Sequence, residues 1–322
     1  MNHTLHGRDL LALADLNDAE LHDLLESAAE LKARQRRKQT QALLAGRTLA
    51  MIFEKPSTRT RVGFEVAMTQ LGGHAVYLSP GDTQLGRGET IGDTARVLSR
   101  MCDAIMARVD SHETLHELAA AADVPVINGL SDWLHPVQAL ADLLTIREHF
   151  GAWRGLKIAY VGDVNNVSNS LLEVINRMGM DFALGSPTPN AVDAGLIAAA
   201  TAAAVRTGTK LTITADPFET VRDADVLYTD VWTSMGQTSD PAHVLALQPF
   251  QINRELLTAA RPNAKVLHCL PMHRGEEISA DIADGPRSLV FDQAENRLHT
   301  HKAVLAALVS GIALAKTTRR AA

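Results

Sequence analysis

The segment LAMIFEKPSTRTRVGFEVAMTQLGG, residues 49–73, decides the fold. Its apolar run Leu49–Phe53 predicts a buried strand, because strands covered on both faces read as nearly continuous apolar runs. A polar loop containing Pro56 follows, and a helical pattern then runs over Thr58–Leu71 until two glycines end it. A strand, a short loop and a helix in this order form the unit from which parallel sheets are built.

Short apolar runs alternate with helical patterns along most of the remaining chain. The predicted strands are Leu49–Phe53, Ala75–Leu78, Ala104–Arg108, Val124–Asn128, Leu156–Val161, Asp181–Leu184, Leu211–Thr214, Val226–Asp230, Val266–Cys269 and Leu289–Phe291. The predicted helices include Thr58–Leu71, Gly92–Met101, Val137–Phe150, Ser168–Met178, Ala191–Thr207 and Asn253–Ala260. This alternation predicts an α/β protein with two doubly wound parallel-sheet domains joined by interdomain helices.

The length of 322 residues also fits two domains of roughly 150 residues each. We expect the first domain to cover residues 1–150, because Gly151, Trp153 and Gly155 interrupt the pattern after the helix that ends at Phe150. The second domain is expected to cover residues 151–293. A final helix is predicted over residues 294–316.

Composition excludes several classes of protein. Hydrophobic residues make up 46% and charged residues 21%, which is ordinary globular usage and not that of a disordered chain. The net charge is −6, from 31 basic and 37 acidic residues, so nucleic acid is not an expected partner. The longest apolar stretch, residues 303–315, is shorter than the roughly 20 residues that span a bilayer. With two cysteines and no apolar leader, we expect a soluble cytoplasmic protein without membrane association.

The loop after the first predicted strand has the character of an anion site. It carries Ser57, Thr58, Arg59 and Thr60 at a helix N-terminus, where backbone N–H groups and the helix dipole favour negative charge. An ordinary helix cap beside solvated arginines is the alternative interpretation. A cap explains one hydroxyl but not the whole cluster, so we predict a phosphate cradle.

The sequence disfavours nucleotide cofactors. It contains no Gly-x-x-x-x-Gly-Lys-Ser/Thr loop, and the turn after Val161 reads GDVNN, with one glycine where a dinucleotide fingerprint has three. We therefore expect no nicotinamide or flavin, and a dehydrogenase is disfavoured.

Further polar side chains follow other predicted strands, where α/β sheets bind their ligands. Arg108 ends the third strand, and His135 opens a helix together with Gln138. A guanidinium beside an anion loop suits a phosphate, although a histidine alone is more often a capping or packed residue.

The second half offers a different set of groups at its predicted strand ends. Asp230 could hold an ammonium and Asn166 a carboxylate, a combination suited to an amino acid. An aspartate that caps a helix or stabilises a turn is the alternative for Asp230. Cys269 alone reads as a buried structural cysteine.

Together these motifs resemble those of the ornithine carbamoyltransferases. The matching segments are Ser57–Thr60, His135–Gln138, Asp230–Gly236, His268–Pro271 and Phe291–Arg297, in family order. The first two are shared with aspartate carbamoyltransferases, whereas the Ser-Met-Gly and His-Cys-Leu-Pro motifs select ornithine. The resemblance covers about Leu5 to Leu314.

The resemblance implies transfer of a carbamoyl group from carbamoyl phosphate to the δ-amine of L-ornithine, giving L-citrulline and phosphate. The alternatives are an enzyme for acetylornithine or putrescine, or an inactive binding homologue. The resemblance further implies homotrimers or multiples of trimers, in which a loop containing Gln84 completes a neighbour's site. It also implies that the final helix returns to the first domain.

Site residues are implied position by position. Carbamoyl phosphate ligands fall on Ser57, Thr58, Arg59, Thr60, Gln84, Arg108, His135, Gln138 and Arg297. Ornithine ligands fall on Asn166, Asp230, Ser234 and Met235. Cys269 and Leu270 fall beside the reacting amine and next to carbamoyl phosphate. The catalytic set is Arg59, Arg108, His135 and Cys269, and no metal or cofactor is implied.

Overall fold

The computed structural model describes residues 5–79, 81, 88–233 and 240–312. The chain divides into two compact units, here called unit 1 (Met1–Leu144 with Glu295–Ala322) and unit 2 (Thr145–Ala294). Each unit contains one parallel sheet, and the chain passes from one unit to the other within two helices. The predicted fold class, two doubly wound parallel-sheet units, is confirmed.

The strands of the described residues are β1 (Thr48–Phe53), β2 (His74–Leu78), β3 (Ala104–Arg108), β4 (Val126–Leu130), β5 (Lys157–Val161), β6 (Asp181–Gly185), β7 (Leu211–Thr214), β8 (Val226–Thr229) and β9 (Lys265–His268). The α-helices are α1 (Asp18–Arg36), α2 (Thr58–Gln70), α3 (Ile91–Ser99), α4 (His112–Ala121), α5 (Pro136–Phe150), α6 (Asn166–Val174), α7 (Ala194–Thr207), α8 (Pro217–Val221), α9 (Pro241–Leu247), α10 (Arg254–Ala259), α11 (Ala280–Ala283) and α12 (Val290–Leu305).

The sheet of unit 1 has the strand order β2-β1-β3-β4. The chain first moves outward from β1 to β2 and then crosses back to β3, so the winding direction reverses between β1 and β3. The register places Phe53 opposite Arg108, the last residues of these two strands. Such a reversal opens a crevice at the carboxyl ends of the strands, which is where open α/β sheets bind ligands.

The sheet of unit 2 has the order β7-β6-β5-β8-β9, and its winding reverses between β5 and β8. Tyr160 lies opposite Tyr228 in the register, so the turns after β5 and β8 are neighbours. Gly162 begins the first of these turns at φ 139°, and a Cβ there would lie 3.2 Å from Thr229 Oγ1. Both the backbone angle and the close approach favour glycine.

Burial explains why the strands read as apolar runs. All five residues of β3 are buried, and so are five of the six in β1, whereas the edge strands β2 and β7 are only partly covered. Ile52, Ala107 and Val126 belong to one buried cluster in unit 1. Each inner strand thus has side chains packed on both faces.

The predicted strand Leu289–Phe291 is wrong. The Leu289 N–H does donate to the Val266 carbonyl, and Ser288 forms an isolated bridge with Val266. However, the Gln293 N–H donates to the Leu289 carbonyl at 2.9 Å, which opens α12 from Val290. A single bridge followed at once by a helix leaves the short apolar run no length in which to form a strand.

The final helix therefore begins before residue 294. It continues as a π turn to Ser310, and residues 313–316 of the prediction lie outside the described residues. Among the described helices, none is long and apolar enough to cross a membrane.

Candidate active site

The anion loop of unit 1 is held by its own hydroxyl groups. Ser57 is the N-cap of α2, where its Oγ accepts the Thr60 N–H at 3.3 Å. The Ser57 hydroxyl also lies 3.2 Å from Thr60 Oγ1. Thr60 is fully buried, while Thr58 is exposed at the first position of the helix. The first turn of α2 is therefore fixed, with its N-terminus at the carboxyl end of β1.

A buried hydrogen-bond chain joins α2, α5 and α12 in unit 1. Arg297 donates through Nη2 to Thr60 Oγ1 at 2.8 Å and through Nη1 to Gln138 Oε1 at 3.0 Å. Gln138 in turn donates to Asp142 Oδ1 at 2.8 Å. The structure thus brings together three predicted phosphate ligands, Thr60, Gln138 and Arg297, that are far apart in sequence.

The environment of His135 is strongly cationic. Burial lowers the pKa of this imidazole well below its ordinary value, and the charges of Arg297 and Arg108 lower that pKa further, with smaller effects of His301 and Arg59. Arg108 is itself buried at the end of β3. His135 is therefore neutral at pH 7, and the positive charge of this crevice belongs to guanidinium groups, which suit a phosphate.

The structure separates the two arginines of the loop. Arg61 is paired with Glu65 at 3.0 Å, and its guanidinium stacks 3.7 Å from the ring centre of Tyr77. Arg59 is half-buried and contributes to the field at His135. The sequence alone could not distinguish them, because the helical spacing that pairs residues 61 and 65 does not show which guanidinium faces the crevice.

The crevice of unit 2 is centred on Asp230, which directly follows β8. Asn165 Nδ2 donates to Asp230 Oδ2 at 2.9 Å, and the Cys269 thiol donates to Asp230 Oδ1 at 2.9 Å. Residues that follow β5, β8 and β9 therefore meet at one carboxylate. Asp230 is only 7% exposed.

Asn165 is a residue of this crevice to which the sequence alone assigns no role. Its Oδ1 caps α6 by accepting the N–H groups of Val167 at 2.9 Å and Ser168 at 3.1 Å, and its own N–H donates to Ser168 Oγ at 2.9 Å. The predicted ligand Asn166 is the half-buried first residue of α6. The capping box that Asn165 forms with Ser168 marks the start of α6, but such a pattern in the sequence does not show that the amide faces Asp230.

Tyr160 gives this crevice a neutral polar wall. The hydroxyl lies 3.0 Å from the Asp163 carbonyl and 3.3 Å from Asn165 Oδ1. Burial raises the pKa of the phenol well above its ordinary value, and the charges of Asp230 and Asp163 raise that pKa further. The charges near Asp230 are thus negative, which suits an ammonium group.

Cys269 and Leu270 follow β9, and Leu270 adopts a left-handed backbone with φ 62°. Among the described residues, two groups of side chains lie close enough together to hold a metal ion: Asp230 with His268 and Cys269, and His273 with Glu276 and Glu277. Both ring nitrogens of His268 already form hydrogen bonds, so it would have to break one to become a ligand.

Three predicted ligands, Gln84, Ser234 and Met235, lie outside the described residues.

Two family models match the chain, one in each half. "Aspartate/ornithine carbamoyltransferase, carbamoyl-P binding domain" matches residues 8–148, and "Aspartate/ornithine carbamoyltransferase, Asp/Orn binding domain" matches residues 154–308. The chain belongs to the aspartate/ornithine carbamoyltransferase family. Arg297 falls in the second match, although it belongs to unit 1 in the structure.

Similar family members are ornithine carbamoyltransferases. The enzymes of Pyrococcus abyssi and Bacillus subtilis are each 52% identical to this chain, over 96% and 95% of it and over 98% and 95% of their own lengths. The solved ornithine carbamoyltransferase of Pyrococcus furiosus is 52% identical with a TM-score of 0.92, covering 96% of this chain and 99% of its own. That of Gloeobacter violaceus is 46% identical with a TM-score of 0.85, covering 94% and 99%.

Proposed function

We propose that this protein is an enzyme that transfers the carbamoyl group of carbamoyl phosphate to the δ-amine of L-ornithine, releasing L-citrulline and phosphate. The observation that carries the choice of amine is the contact between the Cys269 thiol and Asp230 Oδ1 at 2.9 Å. This contact belongs to a crevice of unit 2 that is acidic and hydrogen-bonded. An aspartate substrate would instead need cationic groups for its second carboxylate.

In unit 1, carbamoyl phosphate binds at the N-terminus of α2. Ser57, Thr58, Thr60 and the helix amides hold the phosphate oxygens, and Arg59 supplies a charge-assisted contact. Arg108, His135, Gln138 and Arg297 complete the set, with Gln84 as a further ligand. The buried chain from Arg297 to Thr60 and Gln138 supports this assignment, because it fixes these groups before the ligand arrives.

In unit 2, Asp230 binds the α-ammonium of ornithine and Asn166 its carboxylate, with Ser234 and Met235 as further ligands. Acetylornithine has a neutral acetamide in place of the ammonium, and putrescine has no carboxylate. Each alternative substrate therefore loses one of the two contacts, and a site that leaves a buried polar group unpaired discriminates strongly.

The neutral δ-amine attacks the carbonyl carbon and forms a tetrahedral centre whose oxygen becomes negative. Thr60, Arg108 and neutral His135 donate hydrogen bonds to that oxygen, and fixed donors are most effective where charge develops. The C–O bond to phosphate then breaks, and the proton lost by the amine nitrogen leaves with the phosphate. Arg59 stabilises the leaving group, while Cys269 and Leu270 lie beside the amine.

We also propose that residues 1–150 and the final helix form the carbamoyl phosphate domain and residues 151–293 the ornithine domain. The chains assemble as homotrimers or multiples of trimers, as the family resemblance implies. The molecular mass in solution tests this assembly. Cytoplasmic location stays a prediction of the sequence.

A panel of amines with carbamoyl phosphate tests the reaction. We expect carbamoylation of L-ornithine, with one phosphate released per citrulline, and rates at least about 100-fold lower for acetylornithine, putrescine, aspartate and lysine. Equal or faster reaction of another amine would reassign the substrate. A folded protein that binds carbamoyl phosphate but carbamoylates none of the five would be the inactive homologue.

A further inference from the structure

One buried acid of unit 2, Glu277, has no part in the reaction just described. Glu277 and His268 are both fully buried, and His268 Nε2 lies 2.9 Å from Glu277 Oε1. The same carboxylate oxygen accepts the His273 N–H at 2.6 Å. Glu277 therefore links the last residue of β9 to the main chain at His273.

The hydrogen bonds define the protonation of His268. The Leu270 N–H donates to His268 Nδ1 at 2.9 Å, so Nδ1 must present its lone pair. The proton of the neutral ring then lies on Nε2, where it donates to Glu277. A carboxylate that fixes one nitrogen of an imidazole fixes the tautomer and orientation of the whole ring.

This ring in turn holds an unfavourable backbone. Leu270 has φ 62°, in the left-handed region that residues with a side chain rarely adopt. Such a conformation persists only where the surrounding structure imposes it. The hydrogen bond from the Leu270 N–H to His268 is a direct restraint of this kind, and it depends on the orientation of the imidazole.

The main chain on the other side of Cys269, at His268, is also fixed by a hydrogen bond. The His268 N–H donates to Gln293 Oε1 at 2.9 Å, and Gln293 Nε2 donates to the Tyr228 hydroxyl at 3.0 Å. Cys269 thus lies between two restrained residues. Its thiol is placed 2.9 Å from Asp230 Oδ1.

We propose that Glu277 is a positioning residue of the amine site: through His268 it holds Leu270 in its left-handed conformation and so keeps the Cys269 thiol on Asp230. Burying a carboxylate is costly, and Glu277 Oε2 has no hydrogen-bond partner among the described residues. The inference rests on the proposed function for its effect on ornithine.

Three variants test the role of this acid. Glu277→Ala removes the acceptor, Glu277→Gln keeps an oxygen acceptor for His268 and the His273 N–H, and Glu276→Ala is the matched control. Glu276 is the adjacent acid, and its side chain is 55% exposed. Steady-state constants for both substrates are measured together with the alkylation rate of Cys269, which peptide mapping follows separately from Cys102.

We expect Glu277→Ala to raise KM for ornithine by at least about tenfold and to leave KM for carbamoyl phosphate within about threefold. Alkylation of Cys269 should accelerate, because a thiol released from a carboxylate acceptor forms the reactive thiolate more readily. Glu277→Gln should restore most of both properties, and Glu276→Ala should match the wild type. A folded Glu277→Ala with unchanged ornithine KM and unchanged Cys269 reactivity overturns the proposal.

Nitrogen NMR of the unmodified protein gives a second test that does not depend on whether Glu277→Ala folds. A neutral His268 with its proton on Nε2 supports the proposal, and a proton on Nδ1 overturns it. If the wild type carbamoylates no amine, the proposed function fails, while Cys269 alkylation and the His268 tautomer still decide the positioning role.

Discussion

The crevices of the two units have the same topology and opposite electrostatics. In each sheet the winding reverses beside the first strand, and polar residues follow the strands on both sides of the reversal. In unit 1 these residues are arginines around a neutral His135. In unit 2 they surround the carboxylate of Asp230, next to a phenol whose pKa is raised. The fold therefore supplies the position of a site, and the residues after each strand decide which charge it binds.

Removal of one guanidinium should weaken the use of carbamoyl phosphate in unit 1. We predict that Arg59→Ala lowers kcat/KM for carbamoyl phosphate by about 10- to 150-fold, since a hydrogen bond to a charged group contributes about 1.5–3 kcal/mol. Arg61→Ala is the control, because that side chain is already paired with Glu65. Steady-state kinetics measure both. Equal losses in the two variants would assign the effect to net charge and not to the cradle.

Neutralising Asp230 should weaken the binding of ornithine in unit 2. We predict that Asp230→Asn raises KM for ornithine by roughly 10- to 50-fold, because the amide can still bond Asn165 but cannot neutralise an ammonium. Asp284→Asn is the control, since Asp284 forms an exposed ion pair with Arg274. The same kinetic series measures both. An Asp230→Asn enzyme that keeps its ornithine KM would remove Asp230 from the amine site.

The kinetic constants for the two substrates should depend differently on pH. From pH 7 to pH 8 we predict that kcat/KM for ornithine rises by up to about tenfold, because only the neutral δ-amine reacts and a lysine-like amine has a pKa of about 10.4. KM for carbamoyl phosphate should change by less than about threefold, since the pKa of His135 lies well below this range. Initial rates at each pH test this, and a flat ornithine profile with chemistry rate-limiting would contradict it.

Acid should weaken unit 1 through its buried histidines. The pKa of His299 is lowered to about 4, mainly by burial, against about 6.5 in the unfolded chain. Between pH 6.5 and pH 5 the unfolded state therefore takes up a proton that the folded state does not, so the free energy of unfolding falls as pH falls. We predict that His299→Gln reduces this slope by up to about 1.4 kcal/mol per pH unit. Denaturant unfolding at several pH values measures it, and an unchanged slope would show that His299 does not carry the effect.

Local pattern in the sequence predicted much of the fold and part of the sites. The apolar run before Ser57 and the helix after it correspond to β1 and α2, because strand and helix periodicities are properties of a few consecutive residues. The same locality explains the error at residues 289–291, where one bridge precedes a helix. It also explains why the sequence assigns no role to Asn165, since only the three-dimensional structure shows that this amide faces Asp230.

Long-range contacts were beyond local pattern. The contact from Arg297 to Thr60 joins residues 237 positions apart, and it was anticipated only through the family resemblance. Glu277 gave no signal at all, because a buried acid that supports a histidine looks in sequence like any acid of a polar segment.

Calorimetry of carbamoyl phosphate binding to the wild type, Arg59→Ala and Asp230→Asn tests the division of charge most directly. Each protein is titrated without ornithine, so that only the first substrate is observed. We predict that Arg59→Ala loses at least about tenfold in affinity and that Asp230→Asn stays within about threefold of the wild type. Loss of carbamoyl phosphate affinity in Asp230→Asn as large as in Arg59→Ala, or full affinity in Arg59→Ala, would contradict the assignment of the two substrates to two oppositely charged crevices.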